Sequence, residues 1–286
     1  MLTLFWIVYT IRLIFEFIFI KVIYMINFEF KKSFGQNFLH DENIIDKIVK
    51  YAEIDKDTLV IEIGPGAGAL SKKTIPLSGY SILYEIDTRL KEILDDVLKG
   101  NDNYEIIFND VLKQNIKKDI SKFNYKKIYV VANLPYYITT PIITKVIDEI
   151  SPDKIVIMIQ EEVADRLSAV VGTRDYGMIT VLLGSRYDIK KLFRVGRNCF
   201  KPAPNVDSAV ISLAKHNKYE IKDMLLFDRF IKDAFKYKRK NLRNNLKGYD
   251  LDKIEEILTK NDYSLSDRAE MIPVSLFVNI INELSE

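Results

Sequence analysis

The stretch VVANLPYYITTP, residues 130–141, sets an amide, a proline and two tyrosines where an apolar, β-rich run meets a helix-like one. Asn and Pro often end strands as plain loop punctuation. The same residues can also do chemistry. The amide oxygen of Asn133 and the main-chain carbonyl of Leu134 are two acceptors, enough for both hydrogens of an exocyclic amine. Pro135 holds that carbonyl outward and brings no competing N–H. Tyr136 offers a ring face to a flat base, a contact worth about 1–3 kcal/mol. Drawing the amine hydrogens toward two acceptors withdraws the nitrogen lone pair from ring conjugation and aims it at an electrophile. Attack on a cationic methyl donor needs positioning and charge handling rather than a basic side chain.

A binding turn for such a donor is legible upstream. In VIEIGPGAGAL (60–70), Gly64, Gly66 and Gly68 permit a tight turn and close approach of a ligand to the backbone. The spacing is G-x-G-x-G, not the G-x-G-x-x-G of a dinucleotide site, and no Walker lysine follows. Glu62 would repel a pyrophosphate and suit a cationic ligand, which points to S-adenosyl-L-methionine, with its ammonium and sulfonium. Glu85 closes the next strand, placed for ribose hydroxyls, and Asp110 closes the one after it, placed for an adenine amino group. Each acid alone reads as a solvated loop residue; a glycine turn and acids at successive strand ends make a constellation.

These residues need a sheet whose strand ends share one edge. The runs at 58–63, 80–86, 104–108, 127–132 and 154–159 are short, apolar and rich in β-branched residues. Helix-like segments such as 88–98 and 140–150 separate most of them. Strands apolar on both faces that alternate with helices predict a doubly wound, Rossmann-like α/β domain. Beyond residue 160 the pattern predicts helices in EEVADRL and YGMITVLLGSRY. Two strands, IKKLFRV and SAVISLA, follow around FKPAPNVD. From His216 onward the chain reads as charged and helical, so the expected organisation is a leader at 1–26, a catalytic domain at 27–215 and a small helical RNA-binding domain at 216–286.

Composition excludes several classes. The 286 residues are 48% hydrophobic and 29% charged, an ordinary folded chain. One cysteine, Cys199, and two distant histidines, His40 and His216, argue against a disulfide or a metal site, so no metal is expected. These counts suit a reducing cytoplasm. Net charge is only +2, so nucleic-acid affinity must come from patches. One such patch is FKYKRKNLRNNLK: Lys236, Lys238, Arg239, Lys240, Arg243 and Lys247, with no acid among them, read either as a solvated helix face or as an RNA phosphate contact. Lys31 and Lys32 could extend it. The apolar leader is broken by Arg12, Glu16 and Lys21, which disfavours a membrane span. A start of translation at Met25 is the favoured reading and an interfacial helix the other; no stable membrane partner is expected.

In combination, SFGQNFLHD (33–41), EIGPGAGAL, NLPYYITTP, QEEVADRL, FKPAPNVDSAV, FKYKRKNLRNNL and DRAEM resemble the small-subunit ribosomal RNA adenine dimethyltransferase family from about residue 30 to the end. The resemblance implies that Asn37, Leu39, Gly64, Glu85, Asp110 and Asn133 contact the cofactor, with Gly66 in the same turn. It implies that Tyr136 and Phe200 sandwich a flipped adenine. It further implies dimethylation at N6 of two adjacent adenosines near the 3′ end of small-subunit RNA, on a pre-assembled particle, and a role in ribosome biogenesis. Nothing suggests an oligomer, so a monomer is expected. Three rivals stand beside it. Large-subunit RNA adenine methyltransferases of the macrolide-resistance type usually carry isoleucine at the position of Leu134. DNA adenine methyltransferases usually begin the clamp with Asp. A non-catalytic assembly or transcription factor could keep the scaffold alone.

Overall fold

A computed structural model describes residues 37–286. The leader, Lys31, Lys32 and the first residues of SFGQNFLHD lie outside the described residues. Nine strands are present among the described residues: β1 Phe38–Leu39, β2 Thr58–Ile63, β3 Tyr80–Glu85, β4 Tyr104–Phe108, β5 Lys127–Asn133, β6 Lys154–Gln160, β7 Tyr187–Val195, β8 Phe200–Lys201 and β9 Ser208–Lys215. Seven form one sheet in the order β4-β3-β2-β5-β6-β9-β7. The first five run parallel, and β9 lies antiparallel between β6 and β7. The strands expected from the apolar runs all form, within a residue or two of their expected ends.

Both faces are covered, as a central parallel sheet requires. Every residue of β2 is buried. Leu59, Ile61 and Ile63 point to one face, where Ile142, Ile143, Val146 and Ile147 of the helix Thr139–Ile150 pack. Val60 points to the other, against Ile45, Ile48 and Ala52 of the helix Glu42–Ala52. Asp41 starts that helix by accepting the N–H groups of Asn43 and Ile44, a cap worth about 1 kcal/mol.

The chain order reverses in the middle of the sheet. From β2 it steps outward through β3 to β4, then returns to β5 on the opposite side of β2 and continues to β6. Open α/β sheets bind ligands at such a reversal, outside the carboxyl ends of the strands. Gly64 follows β2 and Asn133 ends β5, so the two motifs flank this point.

Two features depart from expectation. The strands β1 and β8 pair antiparallel as a separate ribbon, Phe38 opposite Lys201 and Leu39 opposite Phe200. The basic run is not one helix. The helix Met224–Ala234 ends before it, residues 235–241 form a connection, and a short helix Leu242–Asn245 follows. Asn241 is extended (φ −77°, ψ 172°) and caps that short helix by accepting the Asn244 N–H, while Asn245 Nδ2 reaches back to the Ala234 carbonyl at 2.7 Å. Crowded like charges with no apolar face give a helix nothing to bury there.

The C-terminal helices enclose an apolar core of their own, with Phe227, Phe230, Leu258, Phe277 and Ile281 buried. Tyr176 and Val181, upstream of His216, belong to the same core, and the Tyr176 hydroxyl donates to the Ile272 carbonyl at 3.1 Å. Among the described residues, no helix is long and apolar enough to cross a membrane.

Candidate active site

The glycine turn and the clamp meet at the sheet reversal. Gly64 and Gly66 have φ of +70° and +59°, the left-handed region that favours glycine. A Cβ added to Gly64 would lie 4.0 Å from the Asn133 carbonyl oxygen. One added to Gly66 would sit 2.8 Å from the Phe38 ring, so β1 closes directly over the turn.

Glu85 braces this turn. Its Oε2 accepts the Gly66 N–H at 3.0 Å and its Oε1 accepts the Asp87 N–H at 2.9 Å. Burial is the main reason its carboxyl is raised above the usual range, and the backbone donors oppose that rise. With the Gly66, Asp87 and Ile86 N–H groups on it, the carboxylate keeps acceptor capacity for a ligand hydroxyl. Asp110 is half-buried; its Oδ1 accepts the Leu112 N–H at 3.0 Å, capping the turn after β4. The acid acceptors, the glycine cradle and the lack of a lysine in the turn fit S-adenosylmethionine.

Glu62 does not take the role its position suggests. Its side chain alternates to the helix-covered face, is 2% exposed and accepts the Ser71 hydroxyl at 2.6 Å. Burial pushes its pKa up to about 8, so at neutral pH it is mainly a protonated internal group rather than an anion facing a ligand. The signal for that was weak, because strand alternation shows the face but not what caps it.

In the clamp, Asn133 Nδ2 donates to the Asn37 carbonyl at 3.1 Å. That bond fixes the amide so that Oδ1 is the end left to accept a substrate hydrogen. The Leu134 N–H is tied to Met158 at 3.1 Å, and no backbone hydrogen bond among the described residues uses the Leu134 carbonyl. The Tyr136 hydroxyl bonds Ser208 Oγ at 2.5 Å, which holds the ring; its pKa is raised, chiefly by burial. Tyr137 is 57% exposed.

The remaining expected residues divide. Leu39 buries its side chain beside Ile45 in the core, so only its backbone is free to serve a ligand. Phe200, expected to face the base opposite Tyr136, is 3% exposed and packed in the same core through the β1–β8 ribbon. It presents no open ring face; a two-residue strand carries no periodicity that would have shown this. Lys236, Lys238, Arg239, Lys240, Arg243 and Lys247 are all exposed, and Lys238 Nζ donates to the Arg174 carbonyl at 3.1 Å. Asp87, not singled out in the sequence, is buried with both carboxylate oxygens on Arg89, at 2.8 and 2.6 Å. Its place two residues after Glu85, before Thr88, was the available cap signal.

Comparison with known proteins agrees with this geometry. The family described as ribosomal RNA adenine dimethylase matches residues 27–286. Ribosomal RNA small subunit methyltransferase A of Streptococcus thermophilus is 42% identical over 271 residues, covering 91% of this chain and 93% of that protein. The protein of the same name from Clostridioides difficile is 40% identical, covering 92% and 94%. Among solved structures, a dimethyladenosine transferase from Plasmodium falciparum superposes with a TM-score of 0.72 at 26% identity, covering 87% of this chain and 97% of that one. The 23S rRNA methyltransferase ErmE gives 0.71 at 25%, covering 87% and 100%. With its glycine turn, braced acid and oriented amide gathered at one sheet edge, this chain belongs to the ribosomal RNA adenine dimethylase family and is an S-adenosylmethionine-dependent rRNA adenine dimethyltransferase.

Proposed function

We propose that the substrate is small-subunit ribosomal RNA, and that the chain dimethylates N6 of two adjacent adenosines near its 3′ end during subunit assembly. The names of the 40–42% identical relatives support the choice of subunit. The observation that carries the chemistry is the Asn133 amide, oriented by the Asn37 carbonyl. With Nδ2 committed, Oδ1 and the Leu134 carbonyl accept the two N6 hydrogens. Tyr136, held by Ser208, supplies the stacking face. The target adenine leaves its stack to reach this edge. Bound S-adenosylmethionine supplies an electrophilic methyl group. Gly64, Gly66, Glu85 and Asp110, with the backbone at Asn37 and Leu39, hold it.

Each transfer would leave the demethylated thioether and a cationic nitrogen acidic enough to give its proton to water, so no strong base is required in the clamp. Two transfers at one nitrogen need the clamp to accept an amine with one remaining hydrogen, which either acceptor can hold. The basic connection from Lys236 to Lys240, with Arg243 and Lys247, takes RNA phosphates as part of the helical segment 216–286. The enzyme works as a monomer in the cytoplasm, where its substrate is assembled.

The test is methyl transfer from labelled S-adenosylmethionine to unmethylated small subunits, large-subunit RNA and duplex DNA, with nucleoside analysis of the products. Dimethyladenosine formed on small subunits alone is the expected result. Label on large-subunit RNA would reassign the substrate, and label on none would remove the methyl-transfer reading.

A further inference from the structure

Beside the clamp, at the end of β6, lies a cleft of about 560 Å³ that the chemistry above does not use. Its walls come from QEEVADRL and from NVD in FKPAPNVDSAV, two motifs with no role so far. It adjoins the methyl-acceptor edge through two links. Leu134 bonds Met158 of β6, two residues before the lining residue Gln160. Asp207, another wall, precedes the Ser208 that holds Tyr136.

Within the cleft Arg194 is held by two carboxylates. Its Nε lies 2.9 Å from Glu161 Oε2 and its Nη2 lies 2.5 Å from Asp207 Oδ2, while 63% of its side chain stays exposed. Asp207 is fixed in turn, accepting the Arg197 N–H at 2.9 Å, and its own N-terminal strand edge is tied by the Glu161 N–H to the Asp207 carbonyl at 3.0 Å. A guanidinium held through Nε and Nη2 on a side chain that stays mostly exposed can serve as a platform for a flat base. Gln160 and Asn205 line the same space, and their side-chain amides make no hydrogen bond to other described residues, leaving donors and acceptors for a base edge. The lining carries five carboxylates against two guanidiniums, which disfavours phosphate and favours a base bearing an exocyclic amine.

We propose that this cleft is a subsite for a nucleobase next to the target adenosine, stacked on Arg194 with its edge read by Gln160 and Asn205. The inference rests on the methyl-transfer reading: a neighbour held here would stop the flipped adenosine from drifting along the strand. Arg194 is then a positioning and specificity-determining residue.

The experiment measures kcat/KM for dimethyladenosine formation by wild type, Arg194→Ala and Arg194→Lys. The substrates are unmethylated small subunits with the native sequence and unmethylated subunits in which each nucleotide flanking the target is made abasic in turn. Loss of one stacked base should lower the wild-type rate about tenfold for one of the two positions. Arg194→Ala should show about the same loss on native RNA and no further loss on that abasic substrate. Arg194→Lys should resemble Arg194→Ala, since an ammonium offers no plane. S-adenosylmethionine affinity should match wild type in both variants, which checks the fold independently of activity. Equal rates for Arg194→Ala and wild type on native subunits would overturn the subsite, as would losses that multiply instead of overlapping. A wild type that methylates no RNA would overturn the methyl-transfer reading, and the subsite with it.

Discussion

Asn133 donates to the Asn37 carbonyl, and in the proposed clamp its oxygen serves the substrate, so Asn133→Ala should remove an acceptor that matters most as the amine becomes cationic. Transfer should fall about 10²–10³-fold, with RNA affinity close to wild type in a filter-binding assay. Loss of RNA binding in parallel would mean that the residue holds the fold instead. Glu62 behaves differently. Its folded-state pKa of about 8 stands above its ordinary 4.5, so the folded form keeps a proton that the unfolded chain releases. Between those two pH values the unfolded state binds fewer protons, and this group's contribution to stability falls as pH rises. Glu62→Gln cannot ionise, so chemical denaturation should show the variant gaining on wild type from pH 4.5 to about 8 and holding level above that range. At this scale the clamp residues were legible from type and order. The partners that orient them, Asn37 for Asn133 and Ser208 for Tyr136, lie 96 and 72 positions away and left no local sign.

The turn after β2 shows how an element can carry a site. Gly66 combines a left-handed φ with a Phe38 ring where a Cβ would go. Gly66→Ala should cost about 1–2 kcal/mol for the conformation alone. That corresponds to a Tm lower by roughly 2–4 °C, measured by calorimetry. Binding of S-adenosylmethionine should weaken with it, because the Gly66 N–H is the group that Glu85 holds at 3.0 Å. An unchanged Tm would show that the turn carries no conformational cost at this position. The parallel strands were readable because each is a run of apolar residues buried on both faces. The ribbon of β1 and β8 was not, since pairs of residues have no period, and it carries Phe200 into the core. The basic connection was misread for a related reason: composition shows charge, while the capping by Asn241 decides where the helix stops and restarts.

Over the whole molecule a net charge of +2 conceals an uneven distribution. Six basic residues project from the connection and short helix at 235–247, while the cleft at the end of β6 is mostly acidic. RNA affinity should therefore fall with salt. Neutralising Lys238, Arg239 and Lys240 together should reduce the slope of log K against log salt by about 2–3, with Tm nearly unchanged because all three are exposed. An unaltered slope would make this surface a solvated one. The acidic cleft contributes no such term, so Arg194 variants should leave the salt slope alone.

By itself the sequence determined the α/β alternation, the glycine turn and the family its motifs resemble, because each depends on neighbours in the chain. Apolar periodicity reports local burial, and a tight turn or a cap is read within a few residues. Only the tertiary structure decided that Glu62 is sealed by Ser71, that Phe200 is interior, and that Arg194 is paired with both Glu161 and Asp207. Those outcomes follow from which strands become neighbours, and β9 reaches its place between β6 and β7 only after the chain has doubled back. Contacts between residues so far apart in sequence are set by the closing of the whole sheet, which no local pattern encodes.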